Sequence, residues 1–212
     1  MTEKIFEAIL ISLYVSLSGT TIAFLLSMPI SAIIAIKKFE YKNILLSIIN
    51  ALTAIPPVCA GLICYLIVSR DGPFGWMGIL YTPTAMMIAQ FIIVYPIFVS
   101  LITRNLQSDY SFFEEELKSY GANIFNIATL LLFNKYRIYI TIFIIGFGRA
   151  ISEYGAAIIV GGSIDHLTKN ITATIAQETS KGNIYLALQL GIILLIFSFI
   201  ISLLSQLNNN KL

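Results

Sequence analysis

The chain has 212 residues, of which 58% are apolar and 11% charged, with a net charge of +2. Soluble domains carry about 45–50% apolar residues, glycine included, and about 25% charged ones. This composition excludes a soluble enzyme, a disordered chain and a nucleic-acid binder, and it predicts an all-α integral membrane protein. Cys59 and Cys64 both lie in an apolar stretch and argue against a disulfide framework. His166 is the single histidine, so no His-rich metal site is expected and no cofactor is expected in the chain itself.

Charged residues divide the sequence into spans. Uncharged stretches run over 8–36, 43–69 and 72–103. A stretch from 138 to about 164 is interrupted only by Arg149 and Glu153, and a last one covers 182–210. A helix needs roughly 20 residues to cross a hydrocarbon core of about 30 Å. Five transmembrane helices are therefore predicted, near 8–35, 43–69, 82–103, 138–162 and 184–206, in one transmembrane domain over 1–212. The first stretch follows Met1-Thr2-Glu3-Lys4, without a basic cluster, and is too long for a cleaved signal, so it is expected to be retained.

Taken in chain order, the first span repeats small residues every four positions, at Ser12, Ser16 and Thr20 and at Ser27, Ser31 and Ala35. That spacing lets helices approach closely in lipid. In the second span Pro56-Pro57 must kink or interrupt the helix. A mid-membrane break is tolerated where protein or a water-filled cavity covers it, so the pair reads either as part of a transport path or as a structural kink. Trp76 and Tyr81 suit an outer interfacial belt. In the fourth span Gly148, Ser152 and Ala156 repeat the four-residue spacing. The connection 163–183 holds Thr168, Thr172, Thr174, Thr179 and Ser180, hydroxyl donors that suit an oxyanion and are also ordinary in turns.

Lys and Arg set the orientation. One face would hold Lys37, Lys38, Lys42, Arg104, Lys118, Lys135, Arg137 and Lys211, and the other Lys4, Arg70, Lys169 and Lys181. The richer face is expected in the cytoplasm of a multi-pass protein of the cell membrane. The N-terminus is then outside and the C-terminus inside.

The long connection 104–137 carries a helical stripe of Phe113, Leu117, Tyr120 and Ile124, with Glu114, Glu115, Glu116 and Lys118 between. This predicts a short amphipathic helix with Gly121 at a bend or close contact. Its polar face is acidic, whereas helices that lie on lipid favour Lys and Arg. A protein partner is the better reading. Arg149 stands about 17 Å into the fourth span at roughly 1.5 Å per residue, and Glu153 follows at i+4 on the same helical face. The pair reads either as a structural ion pair or as part of an anion path.

Two motifs carry a family resemblance. Glu115-Glu116-Leu117-Lys118-Ser119-Tyr120-Gly121 resembles the EAA-x-x-x-G loop of ABC importer permeases, with Glu116 and Leu117 in place of the two alanines and the later Leu-Pro absent. Arg149-Ala150-Ile151-Ser152-Glu153-Tyr154-Gly155-Ala156 resembles the R-A-x-x-E-[FY]-G-A stretch of the molybdate, tungstate and sulfate branch. The segments Arg70–Gly75, Thr82–Ala85 and Glu178–Asn183 resemble the tungstate-type permeases in particular. The resemblance implies a type I ABC importer permease fold with a cytoplasmic coupling helix, a homodimer in membrane lipid, a separate ATP-binding subunit that holds ATP and Mg, and an extracytoplasmic solute-binding protein. It implies coupling through Phe113, Glu115, Glu116, Leu117, Tyr120 and Gly121, and a path or gate at Pro56, Pro57, Arg149, Glu153 and Gly155. No G-x-x-x-x-G-K-[ST] occurs in the chain, so ATP hydrolysis is expected on the partner. The expected substrate is tungstate, with molybdate or another oxyanion as the alternative. A secondary transporter or channel is a further alternative, without the internal repeat such proteins usually show.

Overall fold

In the computed structural model of the chain, the apolar stretches of the sequence become helices. It describes the backbone of residues 2–119 and 123–209, and the side chains of all of these except 2–4, 115–119, 124, 125 and 209. Among the described residues the α-helices are α1 (Thr2–Ile36), α2 (Lys42–Leu52), α3 (Pro57–Val68), α4 (Pro83–Ser119), α5 (Ile124–Asn134), α6 (Tyr136–Ile151), α7 (Gly155–Gly161), α8 (Ile171–Ser180) and α9 (Ile184–Asn209). A single 3₁₀ turn covers Gly75–Met77.

Long apolar stretches in α1, α4 and α9 (Ile5–Ile36, Pro83–Glu114 and Ile184–Asn208) can each cross a membrane alone, and two bent helix pairs raise the number of candidate spans to five. The chain is a multi-pass membrane protein. Large apolar side chains cover its outside; on α9, Tyr185, Leu195 and Phe199 are each about two-thirds exposed or more. In water these would be a liability, and in hydrocarbon they need no partner.

α1 and α4 lie side by side and hold most of the core, where Val15, Ala23, Ala85, Met86, Val94, Phe98 and Ile102 are buried. The small-residue faces read in α1 are borne out: Ser12, Ser16, Thr20, Ser27, Ser31 and Ala35 are all buried. Gly19 brings α1 close to α4, since a Cβ there would lie 3.2 Å from the Met87 carbonyl oxygen. Phe24 meets Phe98 and Phe143 edge-on, each with ring centroids 5.3 Å apart. A methyl group on Gly146 would overlap the Phe98 ring, so glycine is what lets α6 reach α4 there.

The second predicted span is interrupted, as the proline pair required: α2 and α3 meet at 99°. Three other expectations are corrected. The third span does not stop near 103, because α4 continues to Ser119. Residues 112–119 are accordingly the end of a long helix and not a separate short one; the separate helix in this connection is α5, bent 77° from α6. The fourth span is not continuous over 138–162. It breaks between Ile151 and Gly155, so Gly148, Ser152 and Ala156 share no stripe, and Ser152 is exposed.

Polar contacts close both ends of the bundle. At one end the Lys42 ammonium donates to the carbonyls of Ala35 at 2.8 Å and Lys37 at 3.1 Å. A lysine there satisfies carbonyls at the end of α1 and the negative end of its dipole. Lys38 pairs with Glu114 at 2.7 Å, and Lys135 pairs with Asp109. At the other end, His166 meets Glu7 at 2.8 Å. Lys181 and then Asn183 hydrogen-bond the Glu178 carboxylate and hold its pKa below the usual value.

A candidate translocation site at two broken helices

The site grows from two interruptions that the fold sets against each other. At the first, the last turn of α2 tightens, with N–H groups of Thr53, Ala54 and Ile55 bonding three residues back. Pro56 is extended (φ −60°, ψ 131°) and caps α3, and Pro57 opens the new helix. Proline suits that first helical position because its missing N–H would be unpaired there anyway.

At the second interruption no proline is present. The Glu153 N–H bonds the Ala150 carbonyl at 3.1 Å, which tightens the end of α6. The Glu153 carboxylate then accepts the Gly155 N–H at 3.1 Å at the start of α7. That bond satisfies one of the N–H groups left without an intrahelical partner at the start of α7. Thr172 of α8 adds a hydrogen bond to the Glu153 carbonyl at 3.1 Å.

Glycines bring the two breaks together. A Cβ on Gly155 would come within 2.8 Å of Val58 Cγ2, and one on Gly61 within 2.7 Å of Ala156 Cα. α3 and α7 therefore pack almost backbone to backbone. Pro57, Val58, Gly155 and Glu153 fall in one place, and Arg149 joins them: its guanidinium lies 3.2 Å from the Glu153 carboxylate. The i,i+4 pairing read from the sequence is formed, across a helix end and not along one helix.

The pair is unequal in exposure. The Glu153 side chain is 4% exposed and that of Arg149 42%. Pro56, Val58, Cys59, Ser152 and Tyr154 are likewise exposed. Depth follows from Gln90, whose amide donates to both the Ser16 hydroxyl and the Ala150 carbonyl at 3.1 Å. Ser16 lies about 7 Å from the middle of the apolar stretch Ile5–Ile36 at roughly 1.5 Å per residue. The Arg149–Glu153 joint is thus at membrane depth, with irregular backbone beside it.

The remaining sequence candidates lie elsewhere. Phe113 packs against the core near the end of α4. Glu115, Glu116 and Leu117 continue that helix in backbone alone, and Tyr120 and Gly121 lie outside the described residues. The threonines of 163–183 do not form an open donor cluster. Thr168, Thr172 and Thr174 are buried, and all five hydroxyls of the set, Thr179 and Ser180 included, hydrogen-bond backbone carbonyls. Sequence reasoning missed Gln90. The spans were bounded by charge, and an uncharged amide inside an apolar run was the signal that could have found it.

The tungstate uptake system permease protein TupB of Peptoclostridium acidaminophilum is 36% identical over 200 residues, covering 94% of this chain and 87% of the relative. The chain belongs to the ABC anion permease family. A probable anion ABC transporter permease protein of Haloferax volcanii is 34% identical to this permease over 190 residues, 87% of the chain and 82% of the relative. The TupB protein of Campylobacter jejuni is 28% identical over 169 residues, 80% of the chain and 71% of the relative. No protein-family model matches the permease.

Proposed function

We propose that the permease is the membrane subunit of an ATP-driven importer for an oxyanion, and that the anion is tungstate. The observation that carries the substrate is the similarity over nearly the whole chain to a tungstate uptake permease. The chemistry of the site supports an anion. Arg149 is half exposed at membrane depth, and a cation there attracts a dianion and repels cations.

The permease works as a homodimer with a separate ATP-binding subunit and a solute-binding protein outside. The exposed break at Pro56–Cys59 and the exposed Ser152 and Tyr154 support the dimer. Irregular backbone at that depth must face protein or water and not lipid, and a second copy around a water-filled path supplies both. ATP and Mg belong to the partner, and closure of that partner acts on the permease through the end of α4 and residues 113–121. Lys37, Lys38 and Lys42 support a cytoplasmic location for that end, with the N-terminus outside.

The decisive test of function is uptake into proteoliposomes holding the permease, its ATPase and the matched binding protein. ATP-dependent tungstate uptake is expected, with molybdate and sulfate as weaker competitors. Uptake of sulfate in preference to tungstate overturns the substrate, and uptake without the ATPase overturns the class.

Orientation is tested separately. In a Cys59→Ser background, Cys64 stays buried and silent. Glu40→Cys and Ser180→Cys then each place one exposed thiol at opposite ends of the bundle. An impermeant thiol reagent on intact cells is expected to label position 180 and leave position 40 untouched. The reverse pattern inverts the orientation.

A further inference from the structure

We propose that Gln90 is the positioning residue of the Arg149–Glu153 pair, holding the last turn of α6 to α4 and passing the motion of α4 to the gate; this rests on the permease reading above. Gln90 is 2% exposed, in the first third of α4. Its Nε2 donates at 3.1 Å to the Ala150 carbonyl and at 3.1 Å to the Ser16 hydroxyl, so one amide joins α4, α6 and α1. A carbonyl can only accept, so the group facing Ala150 must be the NH₂. That orientation leaves Gln90 Oε1 buried and, among the described residues, without a hydrogen-bond partner.

An amide with its carbonyl unsatisfied in an apolar interior is costly, and an apolar side chain of similar volume avoids that cost. Stability alone therefore does not account for glutamine at this position. What the amide provides is a bond to one particular carbonyl. Ala150 O is also the acceptor for the Glu153 N–H, so it is the joint at which α6 ends. Arg149 precedes that joint by one residue and Glu153 follows it by three. A shift of Gln90 moves the joint directly, and with it the guanidinium and the carboxylate. The same helix carries Phe113 near its far end, about 35 Å away at roughly 1.5 Å per residue. One helix thus spans the distance from the coupling segment to the gate.

The test uses the complete transporter in proteoliposomes, with Gln90→Leu and Gln90→Met as apolar replacements and Ser16→Ala as the comparison. Each is made with Cys59→Ser and Ser152→Cys, which adds an exposed thiol beside the gate. Thermal unfolding, tungstate uptake and the rate of thiol modification at position 152, with and without vanadate-trapped nucleotide, are measured. Both Gln90 variants are expected to unfold within a few degrees of the parent. Their uptake should fall by about tenfold or more, and the nucleotide-dependent change in thiol reactivity should disappear. Ser16→Ala should retain uptake and the reactivity change, because the bond to Ala150 is intact. The inference is overturned if either Gln90 variant transports normally or keeps the reactivity change. It is equally overturned if Ser16→Ala is as damaging, or if neither Gln90 variant folds, since the amide is then a structural contact. A parent transporter that takes up no oxyanion sinks the permease reading instead, and the thiol reactivity is read independently of that result.

Discussion

Arg149→Ala is expected to lower tungstate uptake by about tenfold or more, because it removes the positive field from the proposed path, and to destabilise the bundle as well. Its removal leaves the buried Glu153 carboxylate with the Gly155 N–H and no cation. Breaking a fully buried pair from one side costs about 3–5 kcal/mol. The 42% exposure of Arg149 means that solvent already screens part of that interaction, so a cost of roughly 1–3 kcal/mol is expected. Glu153→Gln removes the charge and keeps an oxygen for Gly155. The double variant Arg149→Ala, Glu153→Gln should therefore recover most of the lost stability. Uptake should stay low in the double variant if the cation acts on the anion, and should return if the pair is only a brace. Thermal unfolding in detergent and uptake in proteoliposomes, measured on both single variants and the double, separate the two roles.

Gly61→Leu should be strongly damaging to the packing between α3 and α7. A Cβ at this position meets the Ala156 main chain at 2.7 Å, and backbone cannot rotate away as a side chain can. α3 and α7 must then separate, which also opens the contact between Val58 and Gly155 and loosens the start of α7 that Glu153 holds. Overpacking of this kind typically costs about 1–3 kcal/mol, and here it falls where α3 and α7 meet almost backbone to backbone. Lower thermal stability and loss of uptake are expected together. Gly191→Leu is the control, since nothing lies within 4 Å of a Cβ there; it should leave both unchanged. Equal tolerance of the two substitutions would show that α3 and α7 are not tightly coupled.

Residues with strong local rules could be read directly. Pro56-Pro57 interrupts a helix when it falls inside an apolar span, because two consecutive N–H groups are missing. Ser12, Ser16 and Thr20 lie on one face by helical geometry alone, and that face is buried. The end of α4 was not legible in the same way. The charge at Arg104 marks the end of an apolar run and not the end of a helix, so the pattern predicts a separate short helix where α4 in fact continues to Ser119. The threonines of 163–183 look like free donors in sequence, and only the folded backbone shows which carbonyls they reach.

The sequence by itself determined the membrane class, the number of apolar stretches, the break at the proline pair and the family, because each rests on composition, local backbone chemistry or residue identity. The tertiary structure alone decided where the fourth span breaks. That interruption has no proline to announce it. It depends on a carboxylate reaching the Gly155 N–H, on Arg149 standing beside that carboxylate, and on an amide from a distant helix holding the Ala150 carbonyl. The first two contacts join residues two and four positions apart, and the spacing of Arg149 and Glu153 is legible in the sequence; the third joins residues 60 positions apart, and no local rule specifies it until α4 and α6 are packed together.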